Sequence, residues 1–385
     1  MPKSVSRREA LQSTVAFAVY AFAQRPLSVF GFNELEDGAE VVPFVQRQLK
    51  NPNRPMVQWD ELTNWVTPNE SVYDVSHYNK PDLQAADWKL DLGGFVEQPR
   101  TFTLAELKQR PRREIMATLE CGGNGAGMTF MGAVANVRWT GTPLAPLLKE
   151  AGVKKRGIEV VFFGADEKQE SLRDQKFDMR FSRSLALADA LRDDVLLCWA
   201  MNGKPLPKEH GFPLRLVVPG WYGIAWVKWL SRIEVQDRRF MSKFMGREYV
   251  TIRGEEQPDG KVLWRETSVS FMNVKSVVAR VVRLKDGALR ISGAAWGDGT
   301  PISTVELKIN DGPWQNVKID QSNHSKYSWV FWSHDWRNPP AGEHTLVSRA
   351  TDADGRVQPA PDNPSIKLKK TYWEANQQWP RKIRI

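Results

Sequence analysis

Hydrophobic and polar positions change rhythm along this 385-residue chain. Residues 24–69 show no sustained period, and "NPNRP" and "TPNE" mark loops within them. From about residue 85 short strands and helices mix. "DWKLDLGGFV" predicts a strand running into a turn. "TLAELKQ" has helical spacing behind Thr103, a good N-cap. "PLAPLLKEAGV" predicts a second helix, closed by Gly152. "IEVVFFGAD" predicts a buried strand that ends at Asp166, "SLALADALRD" a helix, and "FPLRLVVPGWYG" a strand broken at Pro-Gly. From about 270 the period drops to two. In "TVELKIN" the apolar Val305, Leu307 and Ile309 alternate with polar residues, as in a half-buried strand. Asp311-Gly312 and Asp354-Gly355 fall where hairpin turns belong. Several short strands at this spacing predict a β-sandwich over 270–385. The whole is α+β, an irregular part followed by the sandwich. A regular βαβ repeat is absent, and no G-x-G-x-x-G follows a strand, which argues against a Rossmann dinucleotide site.

Composition adds little to fold but something to chemistry. The chain has 41% hydrophobic and 26% charged residues, ordinary for a globular protein, and its length suits two domains. Sixteen tryptophans predict large mixed pockets, because a buried indole still needs a partner for its N–H. The net charge of +9 favours an anionic substrate or an acidic protein partner. No zinc-finger spacing, RNA-recognition motif or long Lys/Arg run points to nucleic acid.

The start of the chain reads as an address. Arg7 and Arg8 follow Ser6, a short apolar stretch spans 15–23, and Ala21-Phe22-Ala23 supplies an A-x-A cleavage site. This is the pattern of a twin-arginine export signal over 1–23, which predicts a periplasmic protein exported folded with its cofactor inserted. The stretch is shorter than the ~20 apolar residues of a transmembrane helix, and no stable membrane span is expected elsewhere.

The chain holds two cysteines. Cys198 lies in the apolar run "DVLLCWAM" and reads as an inert buried thiol. Cys121 opens the flexible run "CGGNGAG" and could be a nucleophile, a metal ligand or a space-filler. Of five histidines, His324, His334 and His344 fall in the sandwich, where surface or loop roles are expected, leaving His77 and His210 as partners for a thiol nucleophile. A zinc site would need three or four ligands at short spacing, which are lacking. A lone thiolate fits a soft metal whose other ligands come from an organic cofactor.

"TLECGGNG", "VRWTGTPLAPLL" and "MNGKPLPKEHGFPLRLVVPGWYGIAWVKWL" together resemble the sulfite oxidase family of molybdopterin enzymes. The resemblance covers a molybdopterin-binding domain at about 70–265 and likens the sandwich to the family's Ig-like dimerisation domain, so a homodimer is implied. It implies a molybdenum–molybdopterin cofactor with Cys121 as the metal's thiolate ligand. His210, Arg215, Trp226, Val227, Lys228 and Asp166 match cofactor-contacting positions, as do Tyr73 and His77 in "YDVSH". Tyr249 in "GREYV" matches a tyrosine beside the metal's oxo groups, and with His77 it forms the implied catalytic pair. No haem domain or C-x-x-C-H motif is present. The implied reaction is oxygen-atom transfer at a small sulfur-containing substrate, with electrons leaving to an external acceptor such as a small c-type cytochrome.

The match breaks on the substrate side. Where sulfite-oxidising members place an arginine two residues before the histidine, this chain has Val75. Gly125 and Ala126 stand where vertebrate members have an arginine, Lys369 replaces another, and Gly223-Ile224-Ala225 replaces "GAR". A valine cannot supply a guanidinium's paired donors. Sulfite should bind weakly, and a less charged substrate such as a sulfoxide becomes credible. Lys80, Lys243 and Arg247 are candidate replacement cations.

Overall fold

The computed structural model describes residues 39–46, 48, 55–125 and 130–385. The export signal predicted at 1–23 and the departure at Ala126 lie outside the described residues.

Strands between 89 and 236 form two sheets. One has the order Arg215–Val217, Leu196–Met201, Val134–Pro143, Arg113–Glu120, with Lys204–Pro205 beside the second strand. The other has the order Arg100–Thr103, Lys89–Gly94, Leu230–Gln236, Glu159–Leu172, Gln175–Ala186. Within these sheets the one parallel pair joins Leu230–Gln236 to Lys89–Gly94. The local signals work as expected. Leu90 and Leu92 of Lys89–Gly94 alternate into the core. The helix Leu104–Gln109 starts from Thr103, whose hydroxyl accepts the Glu106 N–H while the Glu106 carboxylate accepts the Thr103 N–H. The helix Leu144–Ala151 buries Leu144, Leu147 and Leu148 and ends at Gly152 with φ 69°.

Two predicted elements differ. The strand expected to stop at Asp166 runs on to Leu172, after a register irregularity between Phe163 and Glu167. "SLALADALRD" is strand as far as Ala186, and its helix is confined to Leu187–Ala190. Both differences have one cause. Glu159–Leu172 and Gln175–Ala186 pair as a long hairpin whose outer half is exposed and polar, so ladder hydrogen bonds rather than apolar periodicity hold it.

The second domain is the predicted sandwich. Its sheets run Glu40–Val41, Lys275–Arg283, Leu289–Trp296, Val330–Trp336, Lys318–Ile319 and Gln315–Asn316, Ile302–Ile309, Glu343–Asp352, Arg381–Arg384. A separate core fills the space between them, with Val278, Leu289, Ile291, Val305, Leu307 and Leu346. Glu40–Val41 comes from the segment read as irregular, and so do Trp59 and Trp65, both buried in the first core. His344 is also buried, where a surface or loop role was expected, because Asn310 and the Pro340 carbonyl hydrogen-bond its ring at 3.1 and 2.8 Å.

The domains meet beside Cys121. Glu120 is fully buried and forms an ion pair with buried Lys275, the first residue of the sandwich strand Lys275–Arg283. Trp296 Nε1 and Asn124 Nδ2 each donate to this carboxylate at 2.8 Å. A buried charge is tolerable only when paired and hydrogen-bonded in this way.

Candidate active site

A pocket of about 620 Å³, open to solvent, lies over the ends of these sheets. Its lining includes Tyr73, His77, Cys121, Asp166, His210, Arg215, Trp226, Lys228 and Tyr249. These are all the predicted site residues except Val227. Val227 is buried beside them, with its backbone held by Leu216 and Ala225, and its side chain does not reach the pocket.

Cys121 ends the strand Arg113–Glu120. Its N–H donates to Ala133 O at 2.9 Å, and its carbonyl accepts from Asn124 N–H at 2.9 Å. The thiol therefore sits on a tight turn fixed at both ends. Neither cysteine forms a disulfide. Cys198 is fully buried in Leu196–Met201, and burial pushes its thiol well above the usual range, as an inert core cysteine requires. Among the described residues no cluster of three or more His, Cys, Asp or Glu side chains is placed to hold a metal. A metal on Cys121 would need its further ligands from an organic cofactor.

One wall of the pocket is cationic, and most of it comes from a single stretch of chain. Arg215 is buried over the Trp139 ring, 4.8 Å from its centroid. It donates to His210 O and Trp226 O, both at 3.1 Å, while its Nε is buried without a partner among the described residues. Burial lowers its pKa to about 10. Lys228 uses its three protons on Asp74 Oδ1, Ser76 Oγ and Glu209 O, each at 2.8 Å. Burial lowers this ammonium to about 8 even though Asp74 opposes the shift. Lys80 also pairs with Asp74, so one carboxylate anchors two lysines. Burial, then Arg215 and Lys228, hold His210 at about 4, and its imidazole is neutral at pH 7.

Asp166 sits on the irregular turn of its strand, and Gly164 makes room for it. A Cβ at Gly164 would lie 2.1 Å from Asp166 Oδ1. That oxygen is buried with no partner among the described residues, and burial raises the carboxyl to about 7. The group is therefore poised to donate or accept a proton.

The opposite wall is aromatic and assembled from distant segments. Tyr249 Oη lies 3.0 Å from His77 Nε2. The His77 ring stacks on Phe244 at 4.7 Å and on Phe181 at 5.7 Å, and meets Tyr249 edge-on at 5.3 Å. Burial, then Lys228 and Lys243, lower His77 to about 4. Burial and the neighbouring Cys121 push the Tyr249 phenol far up. At neutral pH the pair is neutral imidazole and protonated phenol. Tyr249 itself has φ 56°, a left-handed conformation uncommon for a bulky residue. Its carbonyl accepts the Val269 N–H at 2.8 Å, and the Val269 carbonyl accepts from buried Arg183 at 2.6 Å. Sequence reading missed Phe181, Arg183 and Phe244, which carry no motif and gain their roles from packing.

Val75 lines the pocket with Leu119, Phe181 and Ile224. None of the candidate replacement cations joins them. Lys80 pairs with Asp74, Lys243 with Glu170 and Glu248, and Arg247 is exposed. Lys369 also lies off the lining, with its Nζ donating to Trp373 O at 2.8 Å.

Residues 77–244 match the oxidoreductase molybdopterin binding domain, and residues 265–373 match the Mo-co oxidoreductase dimerisation domain. Mitochondrial sulfite oxidases of Drosophila melanogaster and Homo sapiens are each 31% identical, over 327 and 323 residues, covering 77% of this chain. The chain spans only 55% and 58% of those two proteins. A nitrate reductase of Phaseolus vulgaris is 28% identical over 306 residues, covering 70% of this chain and 34% of that protein. The crystal structure of the sulfane dehydrogenase SoxCD from Paracoccus pantotrophus superposes with a TM-score of 0.71 at 29% identity, covering 88% of this chain and 87% of that one.

Proposed function

We propose that this chain, which belongs to the sulfite oxidase family of molybdopterin enzymes, catalyses a molybdenum-dependent redox reaction at a sulfur centre, in the manner of a sulfite dehydrogenase. The observation that carries the reading is the pocket that gathers Cys121, the cationic wall and the Tyr249–His77 pair. The residues fit the cofactor on structural grounds. Asp166 Oδ1 and Arg215 Nε are buried polar atoms without partners among the described residues, both on residues that line the pocket.

When bound, molybdopterin supplies a metal centre that exchanges two electrons and an oxygen atom with a substrate. Cys121 would ligate that metal. Arg215, His210, Asp166, Tyr73 and Trp226 would hold the organic part. Arg215 suits an anionic group because its guanidinium keeps an unused N–H. Lys228 has its protons engaged by protein acceptors and would act through its charge and by fixing Asp74 and Ser76. Tyr249 presents a protonated phenol, and His77 keeps it oriented from Nε2.

The names of the relatives range over sulfite, sulfane and nitrate chemistry, so the pocket must choose the substrate. Val75 among Leu119, Phe181 and Ile224 favours a sulfur centre less charged than sulfite. Oxidising it would take oxygen from water and release two protons and two electrons. We assign the electrons to an external acceptor, a small acidic c-type cytochrome, in the periplasm, after twin-arginine export. The dimerisation domain supports a homodimer.

Metal analysis and a dye-linked assay with sulfite, sulfane compounds and sulfoxides test this together. The expected result is a single molybdenum per chain and dye-coupled turnover of a sulfur compound. Protein loaded with molybdenum that turns over none of them would overturn it. The rate with a cytochrome acceptor should fall as salt rises, because docking to a basic protein is screened.

A further inference from the structure

We propose that Trp373, supplied by the sandwich domain, is the positioning residue that sets the catalytic phenol of Tyr249, so that the second domain is part of the active site. The inference rests on the reading of Tyr249 given above.

The indole of Trp373 stacks on the Tyr249 ring at 4.0 Å between centroids, with 23° between planes. It is the closest ring contact that Tyr249 makes. Tyr249 needs such a support. Its backbone holds the left-handed conformation, and among the described residues its hydroxyl makes a single hydrogen bond, to His77. Without a surface against its face, the ring could leave Nε2 by rotating about χ1 and χ2.

Trp373 is itself held firmly. Its carbonyl accepts from Lys369 Nζ at 2.8 Å. The next N–H, that of Glu374, donates to Gly122 O at 2.8 Å. The Glu374 side chain accepts from Arg253 at 3.2 Å, and its carbonyl accepts from Asn273 at 3.1 Å. The same segment lies against the cysteine turn. A Cβ at Gly123 would lie 3.4 Å from Tyr372 and 3.5 Å from Trp373, ordinary contact distances that place the residue two after Cys121 against this segment. Lys369, which stands where the family pattern has an arginine, thus serves here to fix the Trp373 carbonyl.

The test uses Trp373→Ala and Trp373→Phe in the full-length, cofactor-loaded protein. An aromatic stack contributes about 0.5–1.5 kcal/mol, which corresponds to a roughly two- to tenfold change in rate. Trp373→Ala should lower kcat by that factor with KM little changed, because the phenol's contact is made in the transition state. Trp373→Phe should restore most of it. A second readout needs no turnover. With 3-fluorotyrosine incorporated, the ¹⁹F resonance assigned by Tyr249→Phe should shift and broaden in Trp373→Ala and stay near its wild-type position in Trp373→Phe. A Trp373→Ala variant with unchanged kcat and an unmoved Tyr249 resonance overturns the proposal. So does a variant that melts lower but keeps both wild-type values below its transition, since that is a purely structural role. If the wild type turns over no sulfur compound, the reading of the reaction fails, and the ¹⁹F shift still decides whether Trp373 sets Tyr249.

Discussion

The two walls of the pocket are built on opposite plans. The cationic wall takes its cations from residues 208–229: Arg215 is bound to the carbonyls of His210 and Trp226, while Lys228 reaches back to Asp74, 154 positions earlier. The aromatic wall is assembled from His77, Phe181, Phe244, Tyr249 and Trp373, and the two members of its central hydrogen bond are 172 residues apart. The first is a cradle that draws its cations from one stretch of chain. The second is gathered from distant parts of the first domain and takes Trp373 from the second. A family can therefore keep a cofactor while its substrates change, because changes at the aromatic wall leave the cradle untouched.

Cys121 lies where the walls meet, and its loss should have the largest effect. Cys121→Ser is expected to abolish turnover and metal retention while the melting temperature stays close to wild type, as metal analysis and circular dichroism would show. Retained turnover would remove the thiolate from the mechanism. Next comes the cradle. Arg215→Met leaves two carbonyls without their donor, and a charged hydrogen bond contributes about 1.5–3 kcal/mol. Denaturant unfolding should show a loss of roughly 3 kcal/mol or more, and the purified protein should carry less cofactor. Equal damage from a change on the aromatic wall would break the contrast.

Val75→Arg sharpens it. A new charge-assisted bond to a dianion should lower the KM for sulfite by about ten- to a hundredfold, with kcat little changed and cofactor content unaltered. A wild-type enzyme already saturated at micromolar sulfite would show that another group does the arginine's work.

A separate effect is one of pH, and it touches both walls. His77 and His210 each sit at about 4, against ~6.5 for an unperturbed imidazole. Their folded values are depressed, so the unfolded chain takes up protons that the folded state refuses. The stability they allow is fully present above ~6.5 and declines as pH falls toward 4. Asp166, held at about 7, keeps a proton in the folded state that the unfolded chain gives up, and so offsets one histidine. Unfolding midpoints across that window should fall with a net one-proton dependence, and His210→Gln should remove it.

Sequence reading reaches the cradle and stops short of the aromatic wall for a physical reason. His210, Arg215, Trp226 and Lys228 lie in one dense run of Pro, Gly, aromatic and charged residues, and their spacing survives in the fold. Tyr249 was legible through resemblance alone, and His77 only as one of two histidines left to pair with a thiol. Phe181 lies on a hairpin whose outer strands are polar and exposed, so no apolar rhythm betrays it. Arg183 reads as a surface charge until the structure shows it buried beneath the Tyr249 segment. Likewise the alternation in the sandwich announced its strands, whereas Glu40–Val41 is too short to carry a period and joins the sheet by pairing with Lys275–Arg283.

The buried pair of Glu120 and Lys275 has a consequence for how the molecule is made. The two residues are 155 positions apart, and Glu120 directly precedes the cysteine. During synthesis the cysteine turn emerges long before the lysine that neutralises its neighbour. Until Lys275 arrives, a carboxylate that belongs in the interior has no counter-ion and stays with water, holding the turn open. A chain truncated before Lys275 should therefore leave Glu120 unpaired beside Cys121 and fail to mature there, however complete its first domain.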